Sequence, residues 1–247
     1  MSPKIQLQEG AIFIADAHYS KKHPEFFAFL QAIDDEKIKT TQLILMGDMF
    51  ELLFGMIKQT HKDNEAEITL LKALSKKIEI IYFEGNHDFG LKKIFPEIKI
   101  YPIEKQPVGA VFFDQNLLLS HGDTKTPIGY QIYTKIIRNP FILSFIEVVD
   151  VLCFNCIIRW LKNRGEKKDP CYKISNFKEI IKRRLRDINA EALDIVVEGH
   201  FHQNISFGLN GFVYTNLSAF SCNHTYFIVQ SSNKQFFLKE TSFKEPV

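Results

Sequence analysis

Five short clusters of Asp, His and Asn punctuate this 247-residue chain, and these residue types bind divalent cations. They are Asp16-Ala17-His18, Gly47-Asp48, Gly85-Asn86-His87-Asp88, His121-Gly122-Asp123 and Gly199-His200-Phe201-His202. On an extended backbone, Asp16/His18 and His200/His202 would each point two ligands to one side, because strand side chains repeat every second residue. Asp48, on a tight glycine turn, could bridge two cations about 3.5–4 Å apart. Asn86 offers a neutral carbonyl oxygen and His121 another imidazole. Glycines before Asp48, Asn86 and His200, and after His121, allow sharp turns beside the ions. This mixed imidazole and carboxylate shell suits Mn, Fe or Zn better than Ca or Mg. A single Asp-x-His or His-x-His pair is more often a hydrogen-bonded turn than a ligand pair. Five clusters in succession point to a two-metal centre.

Each cluster follows a short apolar, β-branched run, at residues 11–15, 43–46, 78–83, 117–120 and 194–197. Helix-like spacing at 24–36 and 64–77 separates the first three, so the pattern predicts a layered, largely parallel α/β core. In such sheets the carboxyl ends of the strands meet at the ligand crevice, which makes the five clusters neighbours in space. Later runs at 212–217, 225–230 and 235–239 read as strands joined by turns such as Leu209-Asn210-Gly211. They suggest a second, antiparallel-ending sheet and hence a four-layer α/β/β/α sandwich in one domain spanning 1–247.

Composition narrows the alternatives. Apolar content of 45% and charged content of 24% are ordinary for a globular domain. A net charge of +2 gives no global argument for nucleic acid, and none is expected as a partner. Four cysteines do not make a disulfide framework, which favours a reducing compartment. No apolar run marks a signal peptide at 1–10, and no apolar stretch is long enough to span a bilayer. A cytoplasmic location is the expectation.

Residues 125–190 break the strand–helix alternation and predict helices at 129–138, 141–163 and 176–189, with Pro140 separating the first two. On the second, Ser144, Glu147, Asp150, Asn155, Arg159 and Lys162 share one half, and the other half is almost wholly apolar. The segment carries 14 Lys and Arg against six Asp and Glu, so the remaining chain is net acidic. By itself this is a plain helical insertion packed on the core. Cys153-x-x-Cys156, within a helix and without a βαβ context, reads as core, and His23 as surface. His61 and His224 carry no specific signal.

The ordered motif set resembles the calcineurin-like metallophosphoesterase superfamily over residues ~11–240 apart from the insert. Carried over by position, the resemblance implies that Asp16, His18, Asp48 and His202 hold one metal. Asp48, Asn86, His121 and His200 would hold the other, with Mn the most expected ion. It further implies hydroxide on the metals attacking phosphorus in line, His87 protonating or stabilising the leaving oxygen, and Asp88 orienting the His87 ring. Asn86, His87 and Asp88 are thus the expected catalytic residues. The start of the insert, His121-Gly122-Asp123-Thr124, Tyr130-Gln131-x-Tyr133 and Arg138-Asn139-Pro140, is similar to one branch. So are Gly47-Asp48-x-Phe50-Glu51 and Asn86-x-Asp88-Phe89. That branch is the UDP-2,3-diacylglucosamine diphosphatases of bacterial lipid A biosynthesis. It implies a helical lid over the metals that receives acyl chains, a lipid-linked nucleotide sugar as substrate, and peripheral contact with the inner membrane through the basic, apolar lid. Tyr130, Tyr133, Arg138, Arg164 and Lys167 are the expected substrate contacts. One departure stands out: the branch commonly has arginine where this chain has His87. A general phosphodiesterase or nuclease of the same fold is therefore the second reading, and a non-catalytic protein-binding scaffold the third.

Overall fold

The computed structural model describes residues 4–124, 128–165, 169–188 and 193–244. Parallel strands Ile12–Ile14, Gln42–Leu45, Glu79–Phe83 and Lys99–Tyr101 lie side by side, and the hairpin of Thr225–Ser232 and Gln235–Ser242 adds antiparallel to the first of them. A second sheet runs in the order Ile5–Gln6, Val108–Phe112, Gln115–Ser120, Ile195–Glu198, Phe212–Asn216, Ile205–Leu209.

The central strands Ile12–Ile14, Gln42–Leu45 and Ile195–Glu198 are buried throughout because both faces are covered. Alternation sends Ile12 and Ile14 outward against Phe26, Phe29 and Leu30 of helix Glu25–Asp34 and Ile68 and Leu71 of helix Glu65–Leu74. Phe13 and Ala15 point the other way, into a core shared with Ile44, Ile81, Ala110, Leu117, Leu119 and Val197 of both sheets. Behind the second sheet, Val196 and Tyr214 pack on Phe177 and Ile181 of helix Phe177–Arg184. The architecture is a four-layer α/β/β/α sandwich.

The structure redistributes some elements. The expected strands at 225–230 and 235–239 edge the first sheet, while the second is built around Gln115–Ser120 and Ile195–Glu198. The basic helix expected at 176–189 supplies the fourth layer, and its Arg184 is buried in an ion pair with Glu198. Helix Ile128–Ile137 lies close to its predicted bounds, and Pro140–Leu152 begins where the next helix was expected. Asn139 caps the latter through Phe141 N–H at 2.9 Å, with Pro140 at the first helical position.

The single helix expected over 141–163 is two. Pro140–Leu152 and Cys156–Gly165 meet at 101° across a break where Phe154 and Asn155 adopt positive φ. Asp150 stabilises the break: its Oδ1 accepts from the N–H groups of Ile157 (2.8 Å) and Ile158 (3.1 Å), the free donors at the start of the second piece. The cysteines are not core. Cys153 and Cys156 are disulfide-bonded at the break, with Cys156 exposed, and Cys171 is bonded to Cys222. Among the described residues no single helix is long and apolar enough to cross a membrane.

Candidate active site

All five clusters meet at the carboxyl edge of the two sheets. One ligand atom each from Asp16, His18 and His202 lies within 4.8 Å of the others, and the same holds for Asp48, His121 and His200. The means differ from the expected pleat. Asp16, His18, Asp48, His200 and His202 all have positive φ (43–65°), so each side chain is aimed by a left-handed turn just beyond its strand. Non-glycine residues adopt that region rarely, and such outliers cluster at functional sites. Close approach also demands glycine. A Cβ on Gly47 would overlap the His121 ring, and one on Gly85 would overlap the Asp48 carboxylate.

Each acidic ligand is anchored by one oxygen and presents the other. Asp48 Oδ1 accepts from His87 N–H at 2.8 Å, while Oδ2 lies 3.4 Å from His121 Nε2. Asp16 Oδ2 accepts from His200 N–H at 2.9 Å, while Oδ1 lies 3.1 Å from His202 Nε2. The imidazoles are oriented in the complementary way. His121 Nδ1–H donates to the Met46 carbonyl (2.8 Å), and His202 Nδ1–H donates to the Pro170 carbonyl (2.7 Å). A carbonyl only accepts, so both rings turn Nε2 inward as the free lone pair, the arrangement that metal-ligating histidines need. His200 Nδ1 lies 3.2 Å from His121 Nε2, and the buried Oδ1 of Asn86 has no hydrogen-bond partner. Two imidazole nitrogens facing each other, beside an orphaned carbonyl oxygen, fit a cation better than a proton. The residues present therefore fit a pair of divalent ions.

The electrostatics agree. Burial works against ionising Asp48, but His121 and His87 beside it hold its carboxyl well below the usual range. Burial likewise opposes charge on His121, and Asp48 overcomes it, raising His121 well above an ordinary imidazole. Burial followed by the charge of His121 pushes His200 down to about 3, which keeps it neutral and able to ligate. Burial also opposes charge on His202, and Asp16 beside it raises that imidazole above its ordinary value.

A cavity of about 250 Å³ opens over these groups, lined by His18, Asp48, Asn86, His87, His200 and His202 together with Glu51, Gly165, Pro170 and Ser221. His87 is held by its Nδ1–H on the Glu51 carbonyl at 2.8 Å. Asp88 therefore does not orient that ring. Its carboxylate is buried and accepts from Asp48 N–H (3.0 Å), Gly85 N–H (2.9 Å), Met49 N–H (2.6 Å) and Tyr82 O–H (2.6 Å), tying two ligand turns together. Glu51, which the Gly47-Asp48-x-Phe50-Glu51 block contains without giving it a role, stands with its carboxylate 3.6 Å from His18 and 3.8 Å from His87. His23 also borders this cavity from the surface.

The expected substrate contacts fare differently. Arg138 is nearly buried beneath the site, donating to the Gly85 carbonyl at 2.7 Å, 3.5 Å from Asp123 and against the Phe89 ring. It braces the Gly85-Asn86 turn instead of lining the cavity. Arg164 is exposed and stacks on Trp160. Lys167 and the side chains of Tyr130 and Tyr133 lie outside the described residues.

Residues 11–204 match the calcineurin-like phosphoesterase family. The UDP-2,3-diacylglucosamine hydrolase of Psychromonas ingrahamii is 26% identical over 197 residues, 78% of this chain and 80% of that protein. The Yersinia pestis protein of the same name is 24% identical over 205 residues, 82% of this chain and 80% of its own length. Among solved structures, a dimetal phosphatase from Danio rerio aligns with a TM-score of 0.47 at 11% identity, covering 94% of this chain and 95% of the other. The family match spans all five ligand clusters, so this chain belongs to the calcineurin-like phosphoesterases and is a metal-dependent hydrolase of phosphoester or pyrophosphate bonds.

Proposed function

We propose that this hydrolase cleaves the pyrophosphate of UDP-2,3-diacylglucosamine, releasing UMP and 2,3-diacylglucosamine 1-phosphate, with Mn as its working metal. The observation that carries this reading is an apolar surface beside the centre. Phe141 (87% exposed), Phe145 (69%), Leu152 (75%) and Phe154 (83%) project from the broken lid helix, whose end at Gly165 borders the cavity. Exposed apolar surface of this kind suits acyl chains and the bilayer interface that carries them. Basic residues around it, including Arg159 and Arg164, add attraction to anionic headgroups. The relatives named for that substrate support the same choice, and peripheral contact with the membrane that carries it follows from the choice.

Asp16, His18, Asp48 and His202 would hold one cation, and Asp48, Asn86, His121 and His200 the other. Bound there, the cations supply Lewis-acid charge to the phosphoryl group and lower the pKa of water in the site. The chain contributes orientation and proton handling. His87, fixed as a donor at Nδ1 by the Glu51 carbonyl, keeps Nε2 for the leaving oxygen. The Glu51 carboxylate stands between the His18 and His87 rings. Asp88 keeps the Asp48 and Gly85 turns in register.

Metal-loaded protein given UDP-2,3-diacylglucosamine should release UMP. Absence of UMP alongside fast cleavage of simple phosphodiesters would move the assignment to a general phosphodiesterase. His87, in place of the arginine common to the branch, is the feature that keeps this second reading.

A further inference from the structure

The candidate centre is flanked by a covalent tie. Cys171 lies where the chain returns from the lid, Cys222 lies in the short helix Phe220–Asn223, and the two form a disulfide across 51 positions. The residue before each cysteine holds one member of the same ligand group. Pro170 accepts the Nδ1–H of His202 at 2.7 Å. Ser221 donates its N–H (3.2 Å) and its Oγ–H (2.9 Å) to the Asp16 carbonyl. Pro170 and Ser221 also line the cavity. The disulfide thus joins, from outside, the two backbone segments that grip Asp16 and His202.

Other bonds act on the return segment, further along it. Lys173 Nζ donates to the carbonyls of His202 (2.9 Å) and Gln203 (3.0 Å). Gln203 accepts from Ile174 N–H at 2.8 Å and donates to the Tyr172 carbonyl at 3.0 Å. These bonds hold 172–174, whereas the sulfur bridge acts at the residue adjoining Pro170.

We propose that the Cys171–Cys222 disulfide is a positioning element of the hydrolytic centre, holding the Pro170 carbonyl on His202 so that this imidazole keeps its ligating nitrogen turned inward. The inference rests on the two-cation reading above. Reduction by a dithiol breaks one S–S bond: each cysteine sulfur gains a hydrogen, and the reductant, giving up two electrons and two protons, closes to its own cyclic disulfide. The Pro170 carbonyl is then free to drift, and loss of such an outer partner weakens a metal site roughly 10–100-fold.

The test uses the full chain in a Cys153→Ser/Cys156→Ser background, so that one disulfide remains. Metal-free protein is titrated with Mn²⁺ by calorimetry, oxidised, reduced with dithiothreitol and desalted, and as the added Cys171→Ser/Cys222→Ser variant. Nitrogen-15 imidazole NMR follows the His202 Nδ1–H in each sample. The expected result is a roughly tenfold weakening of one Mn²⁺ equivalent, the other unchanged, with loss of the protected Nδ1–H signal and recovery of both on reoxidation. Unaltered binding and an unmoved His202 signal after reduction overturn the proposal. The reduced protein answers the question even if the serine variant fails to fold. Should the oxidised protein take up no Mn²⁺, the two-cation reading falls, and the His202 signal alone decides the role of the disulfide.

Discussion

The strand-end centre and the lid hairpin at 140–165 both break the usual division of polar outside and apolar inside, in opposite senses. At the centre, carboxylates and imidazoles are buried, and backbone groups fix one side of each: His87 N–H on Asp48, His200 N–H on Asp16, the Met46 carbonyl on His121. In the hairpin several polar side chains face the body. Glu147 accepts from Lys58 N–H, Asn155 donates to Gln59, Lys162 pairs with Asp63, and Asp150 is fully buried. The apolar residues divide: Leu143, Ile146, Ile158 and Leu161 pack against Leu52, Phe54, Ile57 and Phe89, while Phe141, Phe145, Leu152 and Phe154 face out. One region stores charge where only a cation can complete it, and the other stores apolar surface where only a lipid or partner can cover it. Substitutions at the centre should therefore act on chemistry, and substitutions on the outer hairpin face on the capture of apolar substrate.

The largest effect should come from Asp48→Ala. Both cations lose their shared ligand, so turnover of any phosphoester should fall at least 10³-fold while the fold, by circular dichroism, persists. Retained turnover in the variant means the two groups of ligands do not form one dinuclear centre. Next is Arg184→Ala, the test of whether the basic lid region divides as described. Arg184 is buried against Glu198, which also accepts from Tyr214 O–H (2.9 Å) and Ser120 Oγ (2.8 Å). Removing one partner of a buried pair costs about 3–5 kcal/mol, so denaturation midpoints should drop sharply. A variant as stable as the parent would place Arg184 with the substrate-facing cations instead.

Much of this contrast was readable beforehand, and the unreadable part has physical causes. The ligand clusters were legible because each combines a short apolar run with a glycine and a ligand type within a few residues. That these residues reach the site through left-handed turns was not, since a sequence does not display φ. The lid's outward apolar surface was hidden because residues 141–163 read as one amphipathic helix, whose apolar half would ordinarily face the core. Asp150 looked like a surface carboxylate, yet it caps the second piece. The pairing of Cys171 with Cys222 depends on a fold that brings distant segments together, which cysteine spacing does not reveal. Arg138 shows a different limit: a cation placed with the substrate by resemblance also donates from Nη2 to the Gly85 carbonyl, a contact that no motif displays.

The outer face of the hairpin gives a smaller and more selective prediction. Phe145→Ser/Leu152→Ser removes two exposed apolar groups that do not support the core, so stability should change by no more than about 0.5 kcal/mol per site. If each side chain covers acyl chain or membrane, the lost transfer energy is about 1.5–3 kcal/mol per residue, which corresponds to a KM for diacylated substrate at least tenfold higher. Cleavage of a small soluble phosphodiester should be unaffected. Equal losses on both substrates would tie this face to catalysis and erase the division between the two regions.

The smallest effect sharpens the comparison at the bend itself. Asp150 is a buried polar group in the hairpin that behaves like those of the centre, one oxygen being anchored by backbone donors while Oδ2 has no hydrogen-bond partner. In Asp150→Asn the side chain keeps an acceptor for Ile157 and Ile158, so stability should stay near the parent's. Asp150→Ala removes the cap and should cost about 1 kcal/mol. In a chain of this size that is a lowering of Tm by roughly 2–4 °C. The two variants together separate capping from charge. A loss in Asn as large as in Ala would show that the carboxylate's charge holds the 101° bend, making the break an electrostatic feature and not a capped helix start. The expected order, Asn near parent and Ala below it, makes the bend a matter of two satisfied N–H groups, so the hairpin's outward apolar face rests on a hydrogen-bonded corner and is independent of the metals.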